Sequence, residues 1–279
     1  TMEWTELIVL VISFVFLLLA GVPISFSIGI ATLSTMLLSI DTLPALTTVA
    51  QRMATGLDSF ALLAIPFFIL SGLLMSRGGI ARRLIDFAKV LVGRWPGGLA
   101  YVNILAAMFF GAISGSAAAA AAAIGGFMTP LMEKEGYDTN YSASVNITSS
   151  TTGLLIPPSN ILIVYSLASG GVSIAALFIA GYLPGILVGL LLMVVAGIIA
   201  VKKGYRGSEE RYTFKQGIMF FLDALPSLML IIIVIGGIIA GFFTATEGSA
   251  IAVLYTFILS VLIYHEVKWK ELPQILLET

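Results

Sequence analysis

Long apolar runs alternate with short polar segments along the whole chain, and several runs have a length typical of helices that cross a bilayer. A crossing helix needs about 20 predominantly apolar residues. The pattern therefore predicts an all-α polytopic membrane protein, with Pro66 expected to kink the third run. The first run follows Glu3 and Glu6 rather than a basic segment, which favours a retained span over a cleaved signal. The runs are 7–20, 24–40, 60–76, 97–131, 141–169, 175–201 and 226–242.

Small and polar residues interrupt two of these runs. Gly111–Ser116 divides 97–131 into halves that are each short for a crossing, which favours a re-entrant helical hairpin. Ser149–Asn160 divides 141–169, which we interpret as one discontinuous helix broken between Gly153 and Pro158. Hydrocarbon tolerates broken backbone only where protein or a water-filled cavity surrounds it. Both breaks are therefore candidate binding sites.

The charges of the loops indicate which side of the membrane each loop occupies. Residues 41–58 carry one basic and two acidic side chains, whereas 77–95 carry five basic and one acidic. Residues 202–215 carry five basic side chains against Glu209 and Glu210. The positive-inside rule places the two basic loops in the cytoplasm and the N-terminus in the periplasm. A single crossing by 97–131 would put 202–215 outside, so the count also requires the re-entrant hairpin.

The basic loops are also expected to contain helices that lie in the membrane interface. Within 79–96 the apolar and charged residues recur at helical spacing on different sides, which predicts an amphipathic interfacial helix. An ordinary cytoplasmic connector is the alternative. We expect 202–225 to form a cytoplasmic loop and a second interfacial helix. The apolar residues in 79–96 are Leu84, Phe87, Ala88 and Leu91, and the charged ones are Arg82, Arg83, Asp86 and Lys89.

The beginning and the end of the chain share a hydropathy pattern. Residues 19–30 align with 242–253, and in both places two apolar spans flank a very short turn. By the charge count the two copies run in opposite directions, which predicts the inverted repeat of a secondary transporter. The expected organisation is scaffold helices in 1–78, a transport part in 97–201, and scaffold helices in 226–279. These last residues would open a second repeat that stops short, so we expect a longer functional subunit.

The broken helix offers oxygen atoms that could hold a cation. Pro157 and Pro158 have no N–H to donate, so carbonyls near Gly153 to Ile156 lose their normal partners. Na⁺ is suited to such carbonyl and hydroxyl oxygens. The alternative is a proline kink whose backbone is satisfied by Ser and Thr side chains.

The hairpin tip could contribute to the same site. The first arm would end there with free carbonyls, and the second would begin with free amides that suit a carboxylate. A seam of small residues that pack closely is the alternative. Asn146 and Asn160 flank the break and could read a substrate or bridge helices. The candidate substrate-binding residues are Ser116, Asn146, Ser149, Ser150, Thr151, Thr152 and Asn160.

Composition excludes several classes of protein. The chain is 59% hydrophobic and 10% charged, with mean hydropathy +1.07, so one large water-soluble core is excluded. No cysteine is present for a thiolate metal site, and no basic cluster has the character of a nucleic-acid patch. An intramembrane serine protease using Ser114 would need a nearby base, but the only histidine, His265, lies at a predicted membrane face. A structural subunit without a transport site is the other alternative.

Glu247 is expected to cap a helix.

Three ordered motifs resemble the large membrane subunit of TRAP transporters. They are the Gly111–Ser116 segment before an alanine-rich arm, Ile156–Asn160, and Thr244–Glu247. The resemblance implies a sodium-driven importer of organic acids in the bacterial inner membrane, working as an elevator and not as an enzyme. It implies a small four-helix membrane subunit and a periplasmic substrate-binding protein as partners. Overall likeness favours sialic acid, with small C4-dicarboxylates left open.

The same resemblance suggests ligands for the co-transported Na⁺ and also two departures. The implied sodium site consists of Ser114, Gly153, Ile156 and Pro158, mostly through backbone oxygen. The family often carries an aspartate where this chain has Ala120. The family is also longer, with a second hairpin and a second broken helix beyond residue 279.

Overall fold

The computed structural model describes residues 2–207 and 211–279, and every regular element among them is helical. The prediction of an all-α protein is therefore confirmed. The α-helices are α1 Met2–Leu19, α2 Ile24–Met36, α3 Thr42–Leu57, α4 Ala64–Arg77, α5 Ile80–Val92, α6 Gly98–Ser114, α7 Ala117–Lys134, α8 Thr139–Ser150, α9 Thr152–Leu155, α10 Asn160–Ala168, α11 Ile174–Lys203, α12 Phe214–Ile239, α13 Ala245–Phe257 and α14 Leu272–Glu278.

The first compact unit ends at Ser59 and contains α1 to α3. The first two helices are joined by a turn in which Gly21 adopts a left-handed conformation with φ of 78°. The third helix, of 16 residues, occupies a segment that the charge count treated only as a loop. Its alternating polar and apolar residues gave no long apolar run.

The second unit comprises residues 60–279, and most of its helices begin on a side-chain cap. In each of these caps a hydroxyl or carboxylate oxygen accepts a hydrogen bond from the backbone N–H three residues on, which satisfies one of the free donors of the first turn. Thr244 and Glu247 cap each other reciprocally, so the capping role predicted for Glu247 is confirmed. The capping residues are Ser116, Asp138, Ser159, Ser173, Thr213 and Thr244.

The expected kink at Pro66 is wrong. Residues Phe60–Leu63 form a 3₁₀ turn, and α4 begins at Ala64, so Pro66 lies in the first turn of the helix. The missing N–H of a proline breaks no intrahelical bond in that position. The chain enters the helix through the 3₁₀ turn instead of bending within it.

Helices α6 and α7 form the hairpin expected over 97–131. Gly115, with φ of 63°, ends α6, and Ser116 begins α7. Leu99 near the start of α6 and Leu131 near the end of α7 line the same cavity, so the two arms run antiparallel. The re-entrant position of this hairpin in a bilayer stays a prediction.

The discontinuous helix expected over 141–169 is also present. Helices α8 and α9 are separated only at Thr151, whereas α9 and α10 are separated by Ile156–Ser159. The axes on the two sides of the second break differ by 48°. The Pro157–Pro158 peptide bond within this break is cis.

Helix α12 begins at Phe214 and continues without interruption to Ile239. A separate interfacial helix within 202–225 is therefore not present as an element of its own, although Glu209 and Glu210 of that segment lie outside the described residues. Helix α5 matches the amphipathic helix expected over 79–96, since Leu84 and Ala88 are fully buried and Arg82 is exposed. Its position in the membrane interface stays a prediction.

Several helices have the length and composition of membrane spans. Within the described residues, four qualify singly, and the bent pair formed by 139–155 and 160–168 would be a fifth. Their outward faces are apolar: Leu183 of α11 is 77% exposed and Phe214 of α12 is 86% exposed. Apolar faces of this extent mark contact with lipid or with other protein rather than with water. The four single spans are Phe60–Arg77, Ile174–Lys203, Phe214–Ile239 and Ala245–Ile263.

Candidate ion and substrate site

The first arm of the hairpin and the broken helix meet through two glycines. A Cβ atom placed on Gly153 of α9 would lie 3.0 Å from the Cα of Gly111 of α6. A Cβ on Gly111 would come closer still to the Cα of Gly153. Only hydrogen atoms separate the two backbones here, so the small residues bring main-chain atoms of the two elements together.

The hairpin tip closes onto the second half of the break. The backbone N–H of Asn160 donates to the carbonyl oxygen of Gly115 at 3.3 Å. A Cβ on Gly115 would lie 2.5 Å from the carbonyl oxygen of Pro158, so this oxygen lies directly against the tip. Together with the glycine contact, these atoms place both polar interruptions of the sequence at one location.

Proline removes two hydrogen bonds from the broken helix. A helical carbonyl accepts from the N–H four residues on, and for Gly153 and Leu154 these residues are Pro157 and Pro158. The carbonyl of Leu154 instead accepts from the Ser159 hydroxyl at 2.5 Å. The carbonyl of Gly153 has no intrahelical donor and remains a candidate ligand for a cation.

Buried hydroxyl groups of α8 and α9 present oxygen lone pairs around the break. Ser149 and Ser150 both donate to the carbonyl of Asn146, at 3.1 and 2.7 Å, and Thr152 donates to the carbonyl of Ser149 at 2.6 Å. A hydroxyl whose proton is already donated offers only lone pairs in other directions. That arrangement suits a cation. Thr151 is exposed, and the structure does not bring it into this buried cluster.

Two buried asparagines tie the hairpin arms to the broken helix. The amide of Asn103 on α6 donates to the Ser149 hydroxyl at 2.9 Å, and that of Asn146 on α8 donates to the carbonyl of Ala121 on α7 at 3.0 Å. Asn146 thus bridges helices, which was one of its two expected roles. Sequence reasoning missed Asn103, although an amide within an otherwise apolar run was a signal.

Three amide oxygens near the breaks are buried without a donor. Within residues 2–207 and 211–279, the Oδ1 atoms of Asn103, Asn146 and Asn160 accept no hydrogen bond. A buried acceptor left unpaired costs about 1–3 kcal/mol, and a cation or a donating ligand would remove that cost.

The remaining predicted residues lie around the hairpin tip. Ser114 is fully buried, with its Cβ facing Gly72 of α4. The Ser116 hydroxyl caps α7 by accepting from Ala119 N at 3.3 Å. Ala120 is fully buried. The Ile156 side chain packs against Gly185 of α11 and has no ligand atom, so only its carbonyl could coordinate an ion. The binding roles of these residues stay predictions.

The type of oxygen at the site restricts the ions it could hold. No group of three or more His, Cys, Asp or Glu side chains able to bind a metal occurs in the described part of the chain. The available ligands are neutral carbonyl, hydroxyl and amide oxygens. These suit a hard cation and lack the imidazole and thiolate ligands typical of zinc or copper sites.

Comparison with known proteins places the chain among membrane transporters. Residues 11–279 match the family model described as "Tripartite ATP-independent periplasmic transporter, DctM component". An uncharacterised protein of Salmonella typhimurium, YgiK, is 55% identical over 98% of this chain and 62% of its own length. The C4-dicarboxylate TRAP transporter large permease protein DctM of Rhodobacter capsulatus is 38% identical over 94% of this chain and 62% of its length.

A third relative has a different named substrate. The sialic acid TRAP transporter large permease protein SiaM of Vibrio cholerae is 38% identical over 94% of this chain and 61% of its own length. The chain therefore spans about three fifths of the length of these relatives.

Proposed function

The chain belongs to the DctM family of tripartite ATP-independent periplasmic transporters, and from this premise we propose that it forms part of a sodium-coupled importer of an organic acid. Its relatives are named as permeases rather than as enzymes, and they include proteins named for C4-dicarboxylates and for sialic acid. The likeness supports the inner membrane as location. It also supports a small membrane subunit and a periplasmic binding protein as partners of the complete permease.

The meeting of the hairpin tip with the broken helix is the observation that carries this proposal. It brings the segments that carry the Gly153 and Pro158 carbonyls and the buried Thr152 hydroxyl against the hairpin, in a span-forming part of the chain. In secondary transporters, unwound carbonyls and helix C-termini hold Na⁺, while half-helix N-termini face anionic substrates. Both kinds of helix end occur here, since α6 and α9 end where α7 and α10 begin.

We propose that the organic acid binds on the amide side of the same breaks. The N-terminus of α7 carries a positive partial charge, and Ser116 at this end is only partly buried. The inverted repeat and the elevator motion are part of the same proposal. The repeat is supported by the α1–α2 and α12–α13 pairs, in which two apolar helices likewise flank a turn containing a left-handed glycine, Gly21 or Gly241.

Sodium dependence is tested with the complete permease and its partners reconstituted in liposomes. Uptake of radiolabelled sialic acid and of a C4-dicarboxylate is followed with and without an inward Na⁺ gradient, with K⁺ replacing Na⁺ in the control. The proposal requires uptake of an organic acid that rises with the Na⁺ gradient. Equal uptake in Na⁺ and K⁺ would reject sodium coupling.

The location of the ion site is tested by removing one buried hydroxyl. Thr152→Val keeps the side-chain shape but removes an oxygen beside the break, so the Na⁺ concentration for half-maximal uptake should rise. Thr148→Val is the matched control, because Thr148 is on the same side of the break but exposed, with its hydroxyl bonded to Ser144 O at 2.7 Å. Identical Na⁺ dependence in the two variants would remove Thr152 from the site.

A further inference from the structure

A polar cavity of about 620 Å³ lies at the base of the hairpin, away from the two breaks. It is enclosed by the end of α5, the start of α6, the end of α7 and the end of α11. These ends carry the basic segments that the charge count assigns to the cytoplasmic side. The cavity therefore opens where the inner leaflet would meet the protein.

Among the described residues that line this cavity, basic side chains outnumber acidic ones. Lys89, Arg94, Lys203 and Arg206 line it, opposed within the lining by Glu135. Each lysine has a carboxylate 3.5 Å away, Asp86 for Lys89 and Asp138 for Lys203. Within residues 2–207 and 211–279, Arg94 and Arg206 form no such ion pair. These two guanidinium groups are the candidate ligands for an anion.

The segment that carries Arg206 is held firmly over the cavity. The Tyr205 ring stacks on that of Tyr137 with centroids 4.3 Å apart, and the Tyr137 hydroxyl donates to the carbonyl of Arg206 at 3.3 Å. A Cβ on Gly207 would contact the carbonyl of Arg94, so the chain after α11 packs closely on the end of α5. The two arginines are thereby brought to one cavity from distant parts of the sequence.

An apolar groove of about 430 Å³ adjoins the polar cavity. Arg94 and Tyr212 line both spaces, so the two are adjacent at these side chains. The groove lies between α5 and α12, and Phe87, Leu91 and Phe221 form part of its wall. A cavity lined by basic side chains beside an apolar groove matches a molecule with an anionic head and a hydrocarbon chain.

We propose that this composite site binds an anionic phospholipid, with its phosphate at Arg94 and Arg206 and one acyl chain along the groove. Arginine forks match phosphate oxygens, and basic pockets between membrane helices on the cytoplasmic side are known to accept anionic lipid headgroups. A small soluble phosphate would use the cavity but leave the groove empty. The site is separate from the proposed sodium site and does not depend on sodium coupling.

The test measures lipid retention by the complete delipidated permease. Native mass spectrometry is performed after titration with dioleoylphosphatidylglycerol, and separately with dioleoylphosphatidylcholine. We expect the anionic lipid to bind about tenfold more tightly or better, since each basic residue near an anionic lipid surface contributes measurably. Equal binding of the two lipids would overturn the proposal.

Charge and groove are then tested separately. R94Q/R206Q should abolish the preference for phosphatidylglycerol, whereas R94K/R206K should keep most of it. R82Q/K202Q is the matched control, because it removes two exposed charges from α5 and α11, the helices that Arg94 and Arg206 follow, and neither residue lines either space. An unchanged preference in R94Q/R206Q would place the lipid elsewhere.

Gly217 of α12 lines the groove beside Val90. The substitution Gly217→Leu should therefore fill the groove with a side chain. This variant should weaken binding of both lipids while leaving any binding of glycerol 3-phosphate unaltered. If glycerol 3-phosphate displaces phosphatidylglycerol at equal concentration, the ligand is a soluble phosphate and the lipid assignment is wrong. If Gly217→Leu retains both lipids fully, the acyl chain does not use the groove and the proposal fails.

Discussion

Gly111 and Gly153 face each other across the contact between α6 and α9, and neither position has room for a β-carbon. The nearest atoms to each are backbone atoms of the other, which cannot rotate away as a flexible side chain could. The distance between the hairpin and the broken helix is therefore set by the absence of two side chains. The binding of any ion by oxygen atoms of both elements would depend on that distance.

Adding a methyl group at this contact should separate the two elements. We expect Gly111→Ala and Gly153→Ala to lower stability by about 1–3 kcal/mol, the usual cost of overpacking. Gly111→Ala should cost more, because its Cβ would come closer to the opposing Cα. Thermal unfolding of the detergent-solubilised permease, followed by circular dichroism, measures the effect.

Gly126→Ala provides the control for this pair. Gly126 lies in the same hairpin on α7, and a Cβ there would meet no atom within 4 Å. It should be neutral or slightly stabilising, since alanine favours helix over glycine. Equal destabilisation by all three substitutions would show that glycine flexibility, and not the close approach, matters at this hairpin.

Substitution of Gly115 tests the contact between the tip and Pro158. Gly115→Ala should incur the strain of a left-handed alanine, about 1–2 kcal/mol, and a clash with the Pro158 carbonyl. Gly136→Ala is the matched control, because Gly136 has φ of 82° but open space around it. The difference between the unfolding midpoints of the Gly115→Ala and Gly136→Ala variants measures the effect of the clash alone. Equal midpoints would contradict the close contact between Gly115 and the Pro158 carbonyl.

The sequence predicted the breaks but not how they meet. Gly115, Pro157 and Pro158 interrupt apolar runs, and their backbone restrictions are local, so hairpin and discontinuous helix could be predicted from sequence. The contact of Gly111 with Gly153 depends on which faces the helices present to each other, which no run of residues encodes. The same holds for Arg94 and Arg206, which are distant in sequence and share one cavity.

Three further features differ from what the sequence pattern predicts: the role of Pro66, helix α3 and the contact of Asn103. Pro66 was read as a kink because an apolar run does not reveal where its helix begins; a helix that starts at Ala64 accommodates it. Helix α3 was missed because charge counting treats a polar segment as a loop. Asn103 was missed because a single amide within α6 leaves the apolar pattern intact, although burial gives it a partner on α8.

Ser149→Ala should leave the amide of Asn103 without its acceptor in a fully buried place. The expected loss is about 1–3 kcal/mol, the cost of an unpaired buried polar group. Ser144→Ala is the control, since Ser144 is exposed on the same helix and its hydroxyl donates to the carbonyl of Asn140 within that helix. A double-mutant cycle with Asn103→Ala, read by thermal unfolding, should show coupling between positions 103 and 149. If the effects of the two substitutions on stability are additive, the hydrogen bond between Asn103 and Ser149 does not contribute to stability.

Asp138 should make the stability of the connection between the hairpin and α8 depend on pH in the acidic range. The carboxylate accepts from Tyr141 N at 3.0 Å, and this bond, with Lys203 3.5 Å away, holds the pKa of Asp138 below its ordinary value of 3.8. The Asp138 carboxylate binds a proton less readily in the folded state than in the unfolded state. Its stabilising contribution to folding is therefore complete above about pH 5 and is lost as pH falls through the folded pKa. Asp138→Asn should remove this dependence in unfolding midpoints measured from pH 3 to pH 7. Asp41→Asn should preserve it, because the Asp41 carboxylate precedes α3 without making a capping bond. A wild-type midpoint that does not fall more steeply with acid than that of Asp138→Asn would contradict this role.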